Sequence, residues 1–433
     1  MSAVPNWDMT PYFPEFGGEV YRNFWAGLRI DLDSLLADVR AAPPISDASL
    51  DAWAALLGRV EDASLRTRHL SGYLGCIAAA DALDQAIQRD TARVASLEAE
   101  LQKVNVAVRA ALRDLDDATF DRLTTHASLS GAAYHLTRLR RRAQWSMSED
   151  LETLAADLAV TGIHAWGRLY GQVSGKLEFD LAVDGQETRR LPVSMTRTFL
   201  EDADPAVRRA ALDGGNAAWR GVADVTAACI NGIAGTRLEL YRRRGIEHFL
   251  VPAVFDAGIT RKTLDAMWDA VQSRAEIARR YLRRKAKLLG SERLGFQDLM
   301  APLPISSQRR VSWDEGRAQI LDAFGGRYPA LRDFAAETFE RRRIDYEPRP
   351  GKRPGGFCST SKLIGESRIF CTYNGALGDV VTVAHELGHA FHSHLLRVER
   401  PWASGYPMTL AETASTFAQN LVIDAVIDSP DAS

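Results

Sequence analysis

The sequence has few cysteines, no long apolar run and no excess of either charge. Its four cysteines, at positions 76, 229, 358 and 371, form no CxxC pair, which is typical of reduced cytosolic thiols rather than of a disulfide framework. No stretch approaches the roughly 20 apolar residues that cross a bilayer, and residues 1–16 lack the basic and apolar regions of a signal peptide. We therefore expect a cytoplasmic protein with no membrane partner.

The balance of charge excludes a further class of partner. Lysine and arginine total 53 and aspartate and glutamate total 56, for a net charge of −3, so charge gives no reason to expect binding to nucleic acid or to an anionic membrane. A chain of 433 residues is too long for one small core and favours two or three domains or one large body with several lobes. The sequence does not indicate an oligomeric state.

Apolar residues recur at steps of three and four over most of the chain, which predicts a mainly α-helical protein. The clearest helical stretches are 46–142, 204–244 and 260–289. Breaks rich in glycine and proline near 171–192 predict two lobes, an N-terminal helical lobe of residues 1–195 and a second domain of residues 196–433.

Two segments depart from the helical pattern. Residues 177–193 alternate apolar and polar side chains around Asp184-Gly185, which predicts a β-hairpin near 176–193 in the first lobe. Residues 356–361 and 368–373 are rich in strand-forming residues and flank a turn near Gly365, which predicts a second small hairpin.

The segment after this second hairpin contains His385-Glu386-Leu387-Gly388-His389, an HExxH pattern. We predict one helix over 379–398, with Asp379 as its N-cap and Pro401 after its end. Residues four apart lie on one face of a helix, so the two histidines can bind one zinc ion while Glu386 lies beside them without binding it. The helix is otherwise largely apolar, and burying unpaired imidazoles would be costly without a metal.

A catalytic zinc of this type needs a third protein ligand. The pattern with a third histidine on the same segment fails, because Leu395 occupies that position. Glu412 lies on the first turn of a helix predicted to begin near Thr409, among small residues that let two helices approach. The alternative is that Thr409 and Glu412 form a capping box; the ligand role is favoured because no other acid is well placed. His392 is two turns beyond His385, too far to share the ion, and we predict a structural or supporting role for it.

These parts predict amide hydrolysis at one zinc per chain. His385, His389 and Glu412 would hold the ion, and Glu386 would take a proton from water and pass it to the leaving amine. A peptide substrate also needs contacts to its main chain, and a strand beside the zinc helix can supply them by strand addition. The predicted substrate-binding residues are Phe370, Cys371 and Thr372.

Two segments, Thr382–His392 and Met408–Phe417, resemble the oligoendopeptidase F family, relatives of thimet oligopeptidase and neurolysin. Weaker likeness extends through 351–357 and 204–244 to most of the chain. The resemblance implies a two-lobed helical body with a deep channel, and cytosolic cleavage of short unstructured peptides. His385, Glu386, His389 and Glu412 match the family's two histidine ligands, base and third ligand one for one, which makes 196–433 the catalytic domain.

Members of this family continue well past the helix of the third ligand and supply a tyrosine and a histidine that stabilise the oxyanion and grip the substrate. Nothing before Ser433 matches them, so we expect a truncated, nicked or partial chain, and whether it is active alone is left open. Two alternatives to an endopeptidase also stay open: a zinc carboxypeptidase or dipeptidyl carboxypeptidase, and a peptide-binding fragment without catalytic competence.

Overall fold

The structure, a computed structural model, describes residues 6–304, 310–349, 351–353 and 355–429. Over these residues the chain is mainly helical with two small sheets, which confirms the predicted fold class. Its internal contacts define two compact units, one of Met1–Glu149 with Arg309–Ser433 and one of Asp150–Gln308. The division at residue 195 and the deep channel stay predictions. No described helix is both long and apolar enough to cross a membrane.

The first unit begins with helices that pack around a core of aromatic and aliphatic side chains. In the first helix, Leu28, Leu32 and Leu35 follow a four-then-three spacing and are all at most 1% exposed, so one apolar stripe is buried along its length. The α-helices of this N-terminal part are α1 (Glu19–Ala41), α2 (Leu50–Ala80), α3 (Gln85–Arg113), α4 (Asp117–Thr124) and α5 (Ala133–Ala143).

The second unit contains the hairpin predicted near 176–193, with Gly185 in its turn at a φ of +76°. Gly214 lies so close to this hairpin that an added Cβ would be 2.3 Å from the carbonyl oxygen of Asp180. The elements are α6 (Glu149–Thr161, beginning at the boundary), α7 (Ile163–Lys176), β1 (Glu178–Leu181), β2 (Arg189–Pro192), α8 (Thr196–Leu200), α9 (Pro205–Arg220), α10 (Ala223–Arg243), α11 (Leu250–Asp256), α12 (Arg261–Ser273) and α13 (Ala275–Leu288).

The chain then returns to the first unit, where it forms a three-stranded sheet and four further helices. The sheet order is β3–β5–β4; β4 and β5 form the predicted antiparallel hairpin, with Gly365 in its turn at a φ of +68°, while β3 pairs with β5 in parallel and was not predicted. The elements are α14 (Trp313–Arg327), α15 (Pro329–Glu340), β3 (Ile344–Asp345), β4 (Phe357–Ser361), β5 (Glu366–Phe370), α16 (Leu377–Leu395) and α17 (Met408–Ile427).

The sheet lies between α2 and α16. Successive side chains of a strand point to opposite faces, and in β4 Ser361 faces α2, where its Oγ lies 2.6 Å from Nδ1 of His69. Its neighbour Thr360 faces α16, where its hydroxyl donates to Oγ of Ser393 at 3.0 Å. The sheet therefore holds α16, which carries the HExxH residues, in a fixed position in the first unit.

Candidate metal centre

The helix that carries the HExxH residues begins two residues earlier than predicted. Its N-cap is Ala376 rather than Asp379, and Asp379 is the third helical residue. From there its carboxylate accepts hydrogen bonds from the backbone N–H groups of Asn374 (2.7 Å) and Ala376 (3.0 Å). Asp379 still satisfies N–H groups at the start of the helix, but it does so by reaching back, as an acidic residue at the third position can.

Helices α16 and α17 pack against each other at Gly388, the fourth residue of the HExxH pattern. A Cβ at this position would lie 2.5 Å from the carbonyl oxygen of Ala414 and 2.7 Å from Cα of Ser415. Real Cβ atoms do not approach backbone atoms so closely, so only glycine allows this separation. The predicted small neighbours Ala414 and Ser415 are thus at the contact, and the close approach places Glu412 opposite the histidines.

The three predicted ligands, His385, His389 and Glu412, come together as one ligand group. Oε2 of Glu412 lies 3.2 Å from Nε2 of His385 and 3.3 Å from Nε2 of His389. The potential ligand atoms all lie within 4.8 Å of one another, and among the described residues this is the one group of at least three histidine, cysteine or acidic side chains with that geometry. Two imidazole nitrogens and one carboxylate oxygen match the donor set of a catalytic zinc site with three protein ligands.

The structure does not support the capping-box alternative for Glu412. Helix α17 begins at Met408 with Pro407 as its N-cap, so Glu412 is the fifth helical residue rather than a member of the first turn. Its carboxylate accepts a hydrogen bond from the hydroxyl of Ser415 at 2.8 Å. That hydrogen bond, followed by the nearby histidines, lowers the pKa of Glu412, and the carboxylate is therefore held in the charged form that binds a cation.

A glutamine that sequence reasoning missed orients the first histidine. Nδ1 of His385 lies 2.8 Å from Oε1 of Gln419, so a proton on Nδ1 is donated to the amide oxygen and the lone pair of Nε2 faces the ligand group. Gln419 follows Glu412 by seven residues, which is two turns on the same face of α17. That spacing is the signal that could have identified it.

Glu386 lies on α16 beside the ligand group and is 6% exposed. Burial, opposed by His385 and reinforced by the charge of Glu412, raises its pKa to about 7. A carboxyl group with a pKa near neutrality can both accept and release a proton, as a general base that later acts as an acid must. An added Cβ at Gly356 would lie 3.5 Å from Oε1 of Glu386, so the backbone before β4 passes close to this carboxylate.

His392 lies outside the ligand group, as predicted. Its ring stacks on Tyr406, with centroids 4.5 Å apart and planes inclined by 24°, and burial lowers its pKa. Its Nδ1 is buried and has no hydrogen-bond partner among the described residues. The ring therefore helps to hold the segment between α16 and α17 through stacking.

The residues predicted to bind substrate lie in β5 and directly after it. Phe370 and Cys371 are 1% and 2% exposed, and Thr372 is half-buried. Strand β5 has β4 on one edge and β3 on the other, and the N–H of Cys371 already donates to the carbonyl oxygen of Asp345 at 3.0 Å. Strand addition to β5 therefore does not fit, because both of its edges are paired.

Comparison with known proteins identifies two segments of the chain. Residues 327–429, which include the ligand group, match the model of peptidase family M3, and residues 112–179 match the oligopeptidase F model. The chromosomal oligoendopeptidase F of Lactococcus lactis subsp. cremoris is 30% identical over 173 residues, 39% of this chain and 28% of that protein. Oligopeptidase PepF of Bacillus subtilis (strain 168) is 23% identical over 225 residues, 52% of this chain and 33% of that protein. The chain thus matches about a third or less of these relatives' length.

Solved structures share the fold across nearly the whole chain. A peptidase structure from Chlamydophila abortus superimposes with a TM-score of 0.73 at 18% identity and covers 98% of this chain and 71% of its own. Oligoendopeptidase-F from Enterococcus faecium superimposes with a TM-score of 0.64 at 16% identity, covering 94% and 68%. These two likenesses show the shared fold. The two family models and the curated relatives confirm the resemblance to the oligoendopeptidase F family that the two metal-ligand segments predicted.

Proposed function

We propose that this chain carries the catalytic metal centre of a zinc metalloendopeptidase that cleaves short, unstructured peptides at internal bonds. The observation that carries the proposal is the convergence of His385, His389 and Glu412 within 4.8 Å, with the buried carboxyl of Glu386 on the same helix. The M3 match over 327–429 and the relatives named oligopeptidases support peptide hydrolysis.

Two imidazole nitrogens and one carboxylate would hold one zinc ion per chain. When bound, zinc polarises the substrate carbonyl and lowers the pKa of a water molecule. Gln419 keeps Nε2 of His385 directed at the ligand group, and Ser415 keeps Glu412 charged. Glu386 accepts a proton from the attacking water at its carboxylate and delivers it to the leaving amine, since its pKa of about 7 suits both transfers.

The outer edge of β4 is a strand edge open to a peptide main chain. The N–H groups of Ile369 and Cys371 donate towards β3, so β5 directs the backbone groups of alternate residues, Arg368 and Phe370, towards β4. In that register the backbone of Cys358 and Thr360 points away from β5, and no strand among the described residues pairs with that edge. We propose that substrate pairs there instead of with β5, beside Glu386.

The test is cleavage of an internally quenched fluorescent peptide whose termini are both blocked. We expect internal cleavage that phenanthroline abolishes and added zinc restores, and a loss of about 10³-fold or more in Glu386→Gln, in line with loss of the general base. Zinc content should stay at one per chain in that variant, because Glu386 is not a ligand.

The outcomes separate the open alternatives. Cleavage only of peptides with a free C-terminus would identify a carboxypeptidase instead. One zinc per chain with no turnover of any peptide would identify a peptide-binding fragment. Full activity in Glu386→Gln would overturn the assignment of the base.

A further inference from the structure

A pocket at the C-terminal end of α16 is not used by the metal centre. It is a cavity of about 200 Å³ within the first unit. Three of the described residues that line it are basic (Arg68 of α2, Lys362 after β4 and Arg397 after α16), and none is acidic. The other lining groups are mainly hydroxyls and apolar side chains, so the side chains of the pocket offer positive charge and no carboxylate.

The three cations keep most of their hydrogen-bonding capacity. Nζ of Lys362 donates to the carbonyl oxygen of Leu396 at 2.6 Å, and Nη1 of Arg397 donates to that of His394 at 2.6 Å. Arg68 makes no hydrogen bond or ion pair with another described residue. An ammonium has three donors and a guanidinium five, so several N–H groups remain for a ligand.

The nearest acids do not neutralise the pocket. The carboxylate of Glu61 is occupied by the guanidinium of Arg400 and by the backbone N–H of Trp402 at 2.7 Å. Glu399 is exposed and does not line the cavity. Burial lowers the pKa of Lys362, and the charges of Glu399 and Glu61 only oppose that effect. Because the whole chain has a net charge of −3, only the cations of the pocket, and not the net charge of the protein, would attract an anion there.

The pocket adjoins the proposed path of a peptide. Thr360, whose backbone faces the open edge of β4, lines it together with Ser393, one turn beyond His389 on α16. The lining residues Ser393 and Leu396 follow His389 by four and seven residues, which is about 6 to 11 Å along a helix. An extended peptide advances about 3.3 Å per residue. A peptide on this edge would therefore reach the pocket about two or three residues from the bond that is cleaved.

We propose that this pocket is an anion subsite that binds a carboxylate of the peptide, two or three residues from the cleaved bond. The proposal rests on the proposed function and specifies its substrate: the preferred peptide carries a negative charge at that distance. The charge belongs either to an aspartate or glutamate side chain or to the C-terminal carboxylate, and both would meet the same three cations.

The probes are fluorescein-labelled nonapeptides, measured by fluorescence anisotropy with the zinc-loaded Glu386→Gln chain so that no peptide is consumed. One peptide is neutral and amidated, a series carries a single glutamate at successive positions, and one is neutral with a free C-terminus. We expect at least one anionic peptide to bind about tenfold more tightly than the neutral one, the effect of a hydrogen bond to a charged group. The glutamate series and the free C-terminus identify the source of the carboxylate.

Arg68→Gln and Arg397→Gln remove exposed cations with little risk to the fold. Each should bring the affinity ratio of anionic to neutral peptide towards one. Arg89→Gln is the matched control, since Arg89 is an exposed arginine of α3 in the same unit and does not line the pocket; it should keep the tenfold preference.

Each result bears on one of the two proposals. If no anionic peptide binds more tightly, or if Arg68→Gln and Arg397→Gln keep the full preference, the anion subsite is wrong. Cleavage of neutral peptides by the unsubstituted chain without any preference for acid would overturn the subsite and leave the proposed function in place. A preference for acid that depends on these arginines, without cleavage of any peptide, would support the subsite and overturn the endopeptidase.

Discussion

At the scale of single residues, two of the three proposed metal ligands have a neighbour that fixes their direction. Gln419 accepts from His385, and Ser415 donates to Glu412. Such partners of a ligand commonly contribute 10- to 100-fold to metal affinity, because they hold the ring or carboxylate in its binding orientation.

Gln419→Leu should therefore raise the zinc dissociation constant by about 10- to 100-fold, since the leucine cannot accept the proton on Nδ1 of His385. Gln419→Glu keeps an acceptor at this position and is the control, with zinc affinity at least as high as that of the unsubstituted chain. Competition with a chromophoric chelator measures both constants. Equal affinity in Gln419→Leu would show that the hydrogen bond does not orient the ligand.

The residues of the HExxH pattern could be predicted because their geometry is local. His385 and His389 share a face in any α-helix, and no tertiary contact is needed to bring them together. The spacing of seven residues from Glu412 places Gln419 on the same face of α17, but the atom that Gln419 contacts depends on how α17 packs against α16. Glu412 was predicted from its small neighbours and the lack of a better acid, but its place in the helix was wrong, since α17 begins at Met408.

At the scale of elements, the contact between α16 and α17 depends on Gly388. Gly388→Ala should separate the helices, because the added methyl would overlap the backbone of Ala414 and Ser415. We expect about 1–3 kcal/mol of destabilisation from overpacking and weaker zinc binding as Glu412 moves away. Gly378→Ala, where a Cβ has open space, is the matched control. Unchanged zinc affinity in Gly388→Ala would contradict a role for this contact in placing the third ligand.

The edge of β4 provides a second prediction at this scale. Thr360→Pro removes the N–H that points outward and should raise the KM for a peptide about tenfold, the effect of losing one main-chain hydrogen bond. Proline is tolerated on an edge strand when the lost N–H faces outward. Thr360→Val removes the hydroxyl and keeps the N–H, so it controls for the side chain. Equal KM values for the two variants would exclude strand addition at this edge.

The hairpin of β4 and β5 was predictable from strand-forming residues on either side of Gly365, but its third strand was not. Strand β3 has two residues and therefore no alternation to detect, and its partner Phe370 is far along the chain from Asp345. That unpredicted strand is what occupies the edge first assigned to the substrate.

At the scale of the whole molecule, the first unit is built from two distant parts of the chain. The ion pair of Glu61 with Arg400 and the contact of His69 with Ser361 join them. A boundary placed at glycine and proline breaks assumes that each unit is one continuous segment. Composition cannot reveal pairings between residues about 300 positions apart, so this organisation required the structure.

Zinc removal should affect the two units differently. A ligand at 100 to 1,000 times its dissociation constant stabilises the native state by about 3 to 4 kcal/mol, and here it would bridge α16 and α17. We expect chelation to lower the melting temperature by roughly 5 to 10 °C. Hydrogen exchange should accelerate in α16 and α17 and stay unchanged in α9 and α10 of the second unit, which serve as an internal control. Equal acceleration in both units would argue against a site confined to the first.

The central claim is that His385, His389 and Glu412 hold a zinc ion. The most direct measurement is an anomalous difference map, at the zinc absorption edge, from crystals of the chain grown with one equivalent of zinc. The account predicts one strong peak within about 2.0–2.2 Å of Nε2 of both histidines and of a carboxylate oxygen of Glu412, with Glu386 beside it but not bound to it. A peak elsewhere, or zinc held without Glu412, would contradict it.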